Sequence, residues 1–183
     1  SNIDLPNEMR GTMPNRDFMN KLYGKWGWSK GALLNIAIGQ GEILSTPVQM
    51  ANYTNLIATN GDTYPLNLVR TNIDKLNRPQ VELKNWQIIQ DAMRDVVIGA
   101  KGTGKLSDPK LPGLSIYGKT GTAENPHGEA HAWYITYGEK NNEMISIVVL
   151  IENGGSGGTY ATPIARKIYN YYFNSNKSKL AKN

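Results

Sequence analysis

Between Asn85 and Gly99 the apolar residues Trp86, Ile89, Met93, Val96 and Val97 recur at spacings of three and four, which predicts a helix that Gly99 ends. "TPVQMANYTNLIATNG" predicts a second, with Thr46 as N-cap, Pro47 at the first helical position and Val48, Ala51, Tyr53 and Leu56 on its apolar face. A shorter helix is expected in "RDFMNKLYGKWGW", stopped at Gly24 or Gly27. Alternation then takes over: "LSIYGKTGTAE", "AWYITYGE" and "EMISIVVLIEN" read as strands, the last two joined by the short hairpin "EKNN". Another strand is expected from Tyr64 to Arg70, while "IDLPNEMRGTMPN" should be extended or turning. "ENGGSGG" is a flexible break, and "YATPIARKIYNYYF" closes the fold as a helix whose tyrosines pack inward. Helices first, then an antiparallel sheet, then one helix able to cover a sheet face, define an α+β fold with an N-terminal helical part.

Composition narrows this picture only a little. The 183 residues suffice for one domain, with four Trp and ten Tyr available to a core. The net charge of +5 is scattered, apart from "NKSKLAKN", so residues 175–183 are expected to be a basic flexible tail and nucleic-acid binding is not expected. Without cysteine there is no disulfide and no thiolate-bound zinc, a composition that suits an oxidising compartment. No apolar run approaches the ~20 residues that cross a membrane, and Ser1 and Asn2, which open "SNIDLP", are compatible with the scar of an expression tag.

"GAKGTGKLSDPK" carries two apparent catalytic signatures. Gly99, Gly104 and Lys105 have phosphate-loop spacing, but a helix precedes them where a strand is needed, and Leu106 stands at the hydroxyl position. Ser107 and Lys110 have Ser-x-x-Lys spacing, yet Pro109 and Pro112 flank the lysine and Gly113 follows, so no helical turn is expected to hold them together. The segment is expected to be a mobile surface loop. "HGEAH" spaces His127, Glu129 and His131 two apart, and Pro126 and Gly128 make it a polar loop rather than a metal site. Trp26, Trp28 and Trp133 are expected as core aromatics, with a peptide groove as the other use for them.

"YGKTGTAE" differs because its context suits chemistry. On a strand Lys119 and Gly121 project to one side and Thr120 and Thr122 to the other, and a glycine between them admits a ligand's backbone. With "IDLPNE", "IGQGEILSTPVQMA" and "LIENGGSGG" in the same order, this motif makes the chain from Ile3 to Phe173 resemble penicillin-binding protein 2, the class B peptidoglycan DD-transpeptidase of cell elongation. The resemblance implies a partial β-lactamase/transpeptidase-like fold in which residues 1–174 are the C-terminal part of the transpeptidase domain. It implies that Lys119 holds the electrostatics of the site and a substrate or penicillin carboxylate, that Thr120 and Thr122 offer hydroxyls to it, and that Thr122 N–H is one of two oxyanion-hole donors, with Gly121 beside them. Gly39, Gln40 and Gly41 would be a structural turn. No metal or organic cofactor is implied.

The same resemblance exposes a departure. The family's nucleophilic Ser-x-x-Lys and its Ser-x-Asn motif lie well upstream of Lys-Thr-Gly, whereas Ser107 precedes Lys119 by only twelve residues and "YTN" at Tyr53 to Asn55 is interior to a helix. The chain is therefore expected to carry one wall of the site without the nucleophile and to be inactive alone. In the family, strands from before the serine pair with the last strand here, so Glu143 to Glu152 should be a bare apolar edge on which two chains, or another segment, associate. The implied parent acts on peptidoglycan stem peptides and β-lactams. It sits on the periplasmic face of the inner membrane, anchored by an N-terminal transmembrane helix outside this chain, beside membrane proteins of the elongation machinery. The other readings are a non-catalytic module that binds anionic peptide termini through Lys119, and a nucleotide-binding protein using Gly99 to Lys105.

Overall fold

The structure, a computed structural model, describes residues 3–4, 6–62, 64–69 and 79–175. Its centre is an antiparallel sheet in the order β1 (Ser115–Ala123), β2 (His131–Lys140), β3 (Glu143–Ile151). Asn141 and Asn142 join β2 to β3 with φ of 53° and 63°, the left-handed pair of a type I′ turn. Four helices precede the sheet, α1 (Arg16–Tyr23), α2 (Lys30–Ala37), α3 (Pro47–Ala58) and α4 (Leu83–Ile98), and α5 (Thr162–Ser175) follows it. The α+β arrangement is the one the periodicity predicts. Among the described residues no helix is long and apolar enough to cross a membrane.

Each face of the sheet has its own helix layer, because side chains alternate along the strands. Ile116, Ala132, Tyr134, Ile147 and Val149 point to one face and bury against Ala165, Tyr169 and Phe173 of α5. Tyr137 points to the other and packs with Ile57 of α3 and with Trp86 and Met93 of α4. Each fully buried side chain of this size contributes about 1.5–3 kcal/mol. Helix α4 also runs past the β1 edge, where Arg94 Nη1 donates to Ile116 O at 2.8 Å.

The helix starts follow their caps. Thr46 and Gln49 form a reciprocal capping box on α3, with Pro47 first in the helix as expected. The apolar face of α3 is the expected one in part: Val48, Ala51 and Leu56 are half-buried, with Leu56 against the core, but the fully buried residues are Thr54 and Ile57, and Tyr53 is 49% exposed. Thr54 can be buried because its hydroxyl donates to Met50 O at 2.7 Å. Helix α2 was not foreseen; its apolar residues run all round, none is buried, and Ser29 caps it through Ala32 N–H.

Three further expectations are corrected. No strand forms over residues 64–69; the Asp4 carboxylate takes the N–H groups of Leu68 and Val69 instead, and Arg70 lies outside the described residues. Trp26 is 89% exposed rather than in the core, while Trp28 and Trp133 are half-buried. The loop after α4 is packed, not a surface excursion: Gly104 N–H donates to Val96 O at 2.8 Å, and a 3₁₀ turn over Lys105–Ser107 buries Ser107. Of the expected tail, residues 176–183 lie outside the described residues.

Gly118 is where close packing and the site meet. A methyl group there would collide with the ring and hydroxyl of Tyr134 one strand away. Gly118→Ala should therefore destabilise the fold by about 1–3 kcal/mol, read as a lowered urea midpoint, because an overpacked core cannot relax around a buried tyrosine. An unchanged midpoint would mean that Tyr134 is free to move.

Candidate functional site

The sheet register decides which groups of the Lys-Thr-Gly strand are available. A two-residue turn closes on a hydrogen-bonded pair, here Lys140 and Glu143, so Gly138, Thr136, Tyr134 and Ala132 also turn their peptide groups toward β3. The intervening residues of β2 turn theirs toward β1. Their partners Tyr117, Lys119, Gly121 and Ala123 are thus engaged in the ladder. Ile116, Gly118, Thr120 and Thr122 therefore aim N–H and C=O outward from the sheet. Side chains meet three of these carbonyls: Arg94 reaches Ile116 O, Lys119 Nζ reaches Thr120 O at 2.6 Å, and Gln40 Nε2 reaches Thr122 O at 3.0 Å.

Side chains alternate at right angles to this pattern. Lys119 and Gly121 share the face of Ile135 and Trp133, their direct partners on β2. This face forms one wall of a cleft of about 740 Å³, whose opposite wall is the α2–α3 connection from Ile38 to Ser45. Lys119 is exposed there, and among the described residues no acidic side chain is bonded to its ammonium. Thr120 projects to the other face, where its hydroxyl and that of Thr103 are 2.7 Å apart. The four expected site residues are thus contiguous on one strand and all line the cleft, but their side chains divide: Lys119 and Gly121 share the face of Ile135 and Trp133, Thr120 turns to the loop after α4, and Thr122 is exposed near the strand's end.

Two contributors were missed by sequence reasoning. Gln40 sits between Gly39 and Gly41, both left-handed with φ of 80° and 69°, which turns the chain sharply enough to aim one long side chain at β1. The visible signal was "GQG", read as a turn alone. Thr103 had no signal beyond its place between two glycines.

The rejected motifs fall elsewhere. Ser107 is 0% exposed; its hydroxyl donates to Gly104 O at 2.7 Å and lies 2.8 Å from Tyr134 Oη. Lys110 turns away, with φ of 59°, and its ammonium binds Asp108 at 2.9 Å. Burial pushes the Asp108 carboxyl up, but the Lys110 ammonium and N–H, with Arg94, hold it below the usual carboxylate range. Serine and lysine therefore share no reaction geometry. Lys105 folds back onto Ala100 O, and α4 precedes Gly99, which is not how a phosphate loop is built. His127 and Glu129 lie in the turn before β2, while His131 begins the strand and accepts Asn153 N–H at Nδ1, 2.9 Å away.

Comparison with known proteins shows the family. The penicillin binding protein transpeptidase domain family matches residues 1–170, and the chain belongs to that family. Within it the similarity is to the class B, penicillin-binding protein 2 type. The peptidoglycan D,D-transpeptidase MrdA of Haemophilus influenzae is 28% identical over 206 residues, covering 98% of this chain and 31% of the relative. The crystal structure of penicillin-binding protein 2 from Pseudomonas aeruginosa superposes with a TM-score of 0.82 at 29% identity, covering 95% of this chain and 40% of that one. Penicillin-binding protein 2 of Helicobacter pylori, in its complex with MreC, gives 0.76 at 30% identity over 93% of this chain and 33% of that one. The chain spans about a third of the length of the curated relatives it matches.

The tyrosines behind the strand make the scaffold sensitive to alkali. Burial pushes the phenols of Tyr134, Tyr137 and Tyr169 above their ordinary value of 10.0. A raised folded-state value means that the stabilisation is fully present below the unfolded value and is lost as pH rises through the folded one. Urea midpoints should stay level from neutral pH to about 10 and fall above it. A midpoint that holds steady well above 10 would contradict the burial of these phenols.

Proposed function

We propose that this chain supplies the Lys-Thr-Gly wall of a peptidoglycan DD-transpeptidase site and holds no nucleophile of its own. The observation that carries this is the division of groups on β1: an exposed ammonium faces a cleft, and an outward Thr122 N–H stands on the adjoining edge. A D-alanyl-D-alanine terminus is anionic and its attacked carbonyl becomes an oxyanion. Lys119 suits the first as counter-charge, and Thr122 N–H suits the second as donor, a contribution of about 3 kcal/mol to the barrier in comparable sites. Thr120 and Thr122 hydroxyls would take the carboxylate from the edge, which asks Thr120 to leave Thr103. The nucleophilic serine and its activating lysine would come from elsewhere, since the chain's one Ser-x-x-Lys has its serine buried and its lysine paired to Asp108.

In the parent reaction the serine attacks the penultimate D-Ala carbonyl, the terminal D-Ala leaves, and an amine on a neighbouring stem peptide takes the acyl group. The cysteine-free composition and the family's chemistry support a site on the periplasmic face of the inner membrane. The Helicobacter pylori complex with MreC supports a partner among the elongation proteins.

After incubation with a reactive penicillin the intact mass of the chain should be unchanged, and an adduct on Ser107 would overturn this reading. Lys119→Ala should weaken binding of a D-alanyl-D-alanine-terminated peptide by about 10–100-fold, the worth of a charge-assisted hydrogen bond. Equal affinity in the two proteins would remove Lys119 from the site.

The outer edge of β3 is proposed to pair with a second copy of the chain. Met144, Ser146, Val148 and Leu150 aim their peptide groups away from β2, and no described strand meets them. Antiparallel pairing about Ile147 sets Ser146 against Val148 and Met144 against Leu150, using every outward group between them. Sedimentation should show a dimer that Val148→Pro converts to a monomer, since this proline removes only an outward N–H. A wild-type monomer at high concentration would contradict the pairing.

A further inference from the structure

The carboxamide of Gln40 makes two hydrogen bonds, one to β1 and one to the residue just past it, and their spacing is informative. Nε2 donates to Thr122 O at 3.0 Å, and Oε1 accepts from Glu124 N–H at 3.2 Å. A neighbouring strand in parallel pairing addresses its partner in the same way, donating to the carbonyl of one residue and accepting from the N–H two residues on. A primary amide carries the donor and acceptor of a peptide group, so one side chain stands in for one residue of a missing strand.

The position is not incidental. Gln40 extends from the far wall of the cleft, on the tight turn that ends α2, where its own N–H is held by Asn35 O at 2.9 Å. It meets β1 just past the Lys-Thr-Gly residues, where the strand leaves the sheet. In a strand the N–H and C=O of one residue point the same way. A bond that fixes Thr122 C=O therefore also fixes the direction of Thr122 N–H. Along this edge Lys119 Nζ holds Thr120 O and Gln40 holds Thr122 O and Glu124 N–H. Thr122 N–H lies between these anchored groups and is engaged by neither of them.

We propose that Gln40 is a positioning residue for the oxyanion side of the site: it locks the Thr122 peptide so that its N–H stays aimed outward, ready for a developing negative charge. Gln40 acts through Thr122 rather than on the substrate. The inference rests on the proposed role of Thr122 and adds the device that orients it. Preorganised donors are effective because they need no reorientation when charge develops.

The test is a titration of ¹⁵N-labelled chain with N-acetyl-D-alanyl-D-alanine, following the amide resonances of Thr122 and Glu124. In the wild type, Glu124 N–H should be protected from exchange and Thr122 N–H should shift with peptide. In Gln40→Leu the Glu124 protection should fall at least tenfold and the Thr122 shift should shrink severalfold, while β2 and β3 amides keep their protection. Gln40→Glu separates the two bonds, because an ionised carboxylate still accepts Glu124 N–H but cannot donate to Thr122 O; Glu124 should stay protected while the Thr122 response is lost. The Glu variant also serves if the Leu variant proves poorly folded. A wild-type Thr122 shift that either variant retains in full would overturn the role of Gln40 and leave that of Thr122 standing. No Thr122 shift in the wild type would overturn the site itself, and Gln40 with it.

Discussion

The turn at Asn141 and Asn142 sets the hydrogen-bonding parity of the whole sheet, and the character of the site depends on that parity. Because Lys140 and Glu143 close the hairpin as a bonded pair, the alternation passes through β2 to β1 and assigns Lys119 and Gly121 to the ladder and Thr120 and Thr122 to the open edge. A slip of one residue would reverse every assignment and turn Lys119 away from the cleft. The buried tyrosines resist such a slip. Tyr134 fits under Gly118, and Tyr169 fits against Gly138 with its hydroxyl 2.8 Å from Thr136 Oγ1, so each glycine accommodates one ring at one register. The proposed wall asks for a charge on a face and a peptide donor on an edge, and Lys119 and Thr122, three residues apart on β1, would offer the two.

The packed loop after α4 serves the same strand from behind. Ser107, which has the spacing of a nucleophile, instead ties Gly104 to Tyr134 in a buried chain of hydroxyls, and Thr103 on the same loop meets Thr120. Polar groups buried in this way hold a geometry firmly when every member is satisfied. The loop fixes the inner side of β1 and Gln40 fixes its far end.

Much of this was legible in the sequence. The strands, the hairpin, α3 with its cap and α4 follow from periodicity and turn chemistry, because each is a local signal. Helix α2 was illegible because "KGALLNIA" has apolar residues all round and no stripe to mark a buried side. The expected strand over Tyr64 to Arg70 had good local propensity, but Asp4, more than sixty residues away in sequence, took two of its N–H groups. Tyr53 and Trp26 are large and apolar yet exposed, and a sequence pattern does not say which neighbours will cover a residue. For the proposed site, motif and context pointed to Lys119 to Thr122, which the structure sets contiguously on β1. The contacts of Gln40 and Thr103 with β1 span 82 and 17 residues and had no local trace.

Amide hydrogen exchange along β1, residue by residue, tests the central claim most directly. The register predicts slow exchange at Lys119, Gly121 and Ala123, whose N–H groups are bound to β2, and fast exchange at Thr120 and Thr122. The reverse alternation, or a Thr122 amide as protected as Gly121, would mean that the edge offers no free donor and that the wall described here does not exist.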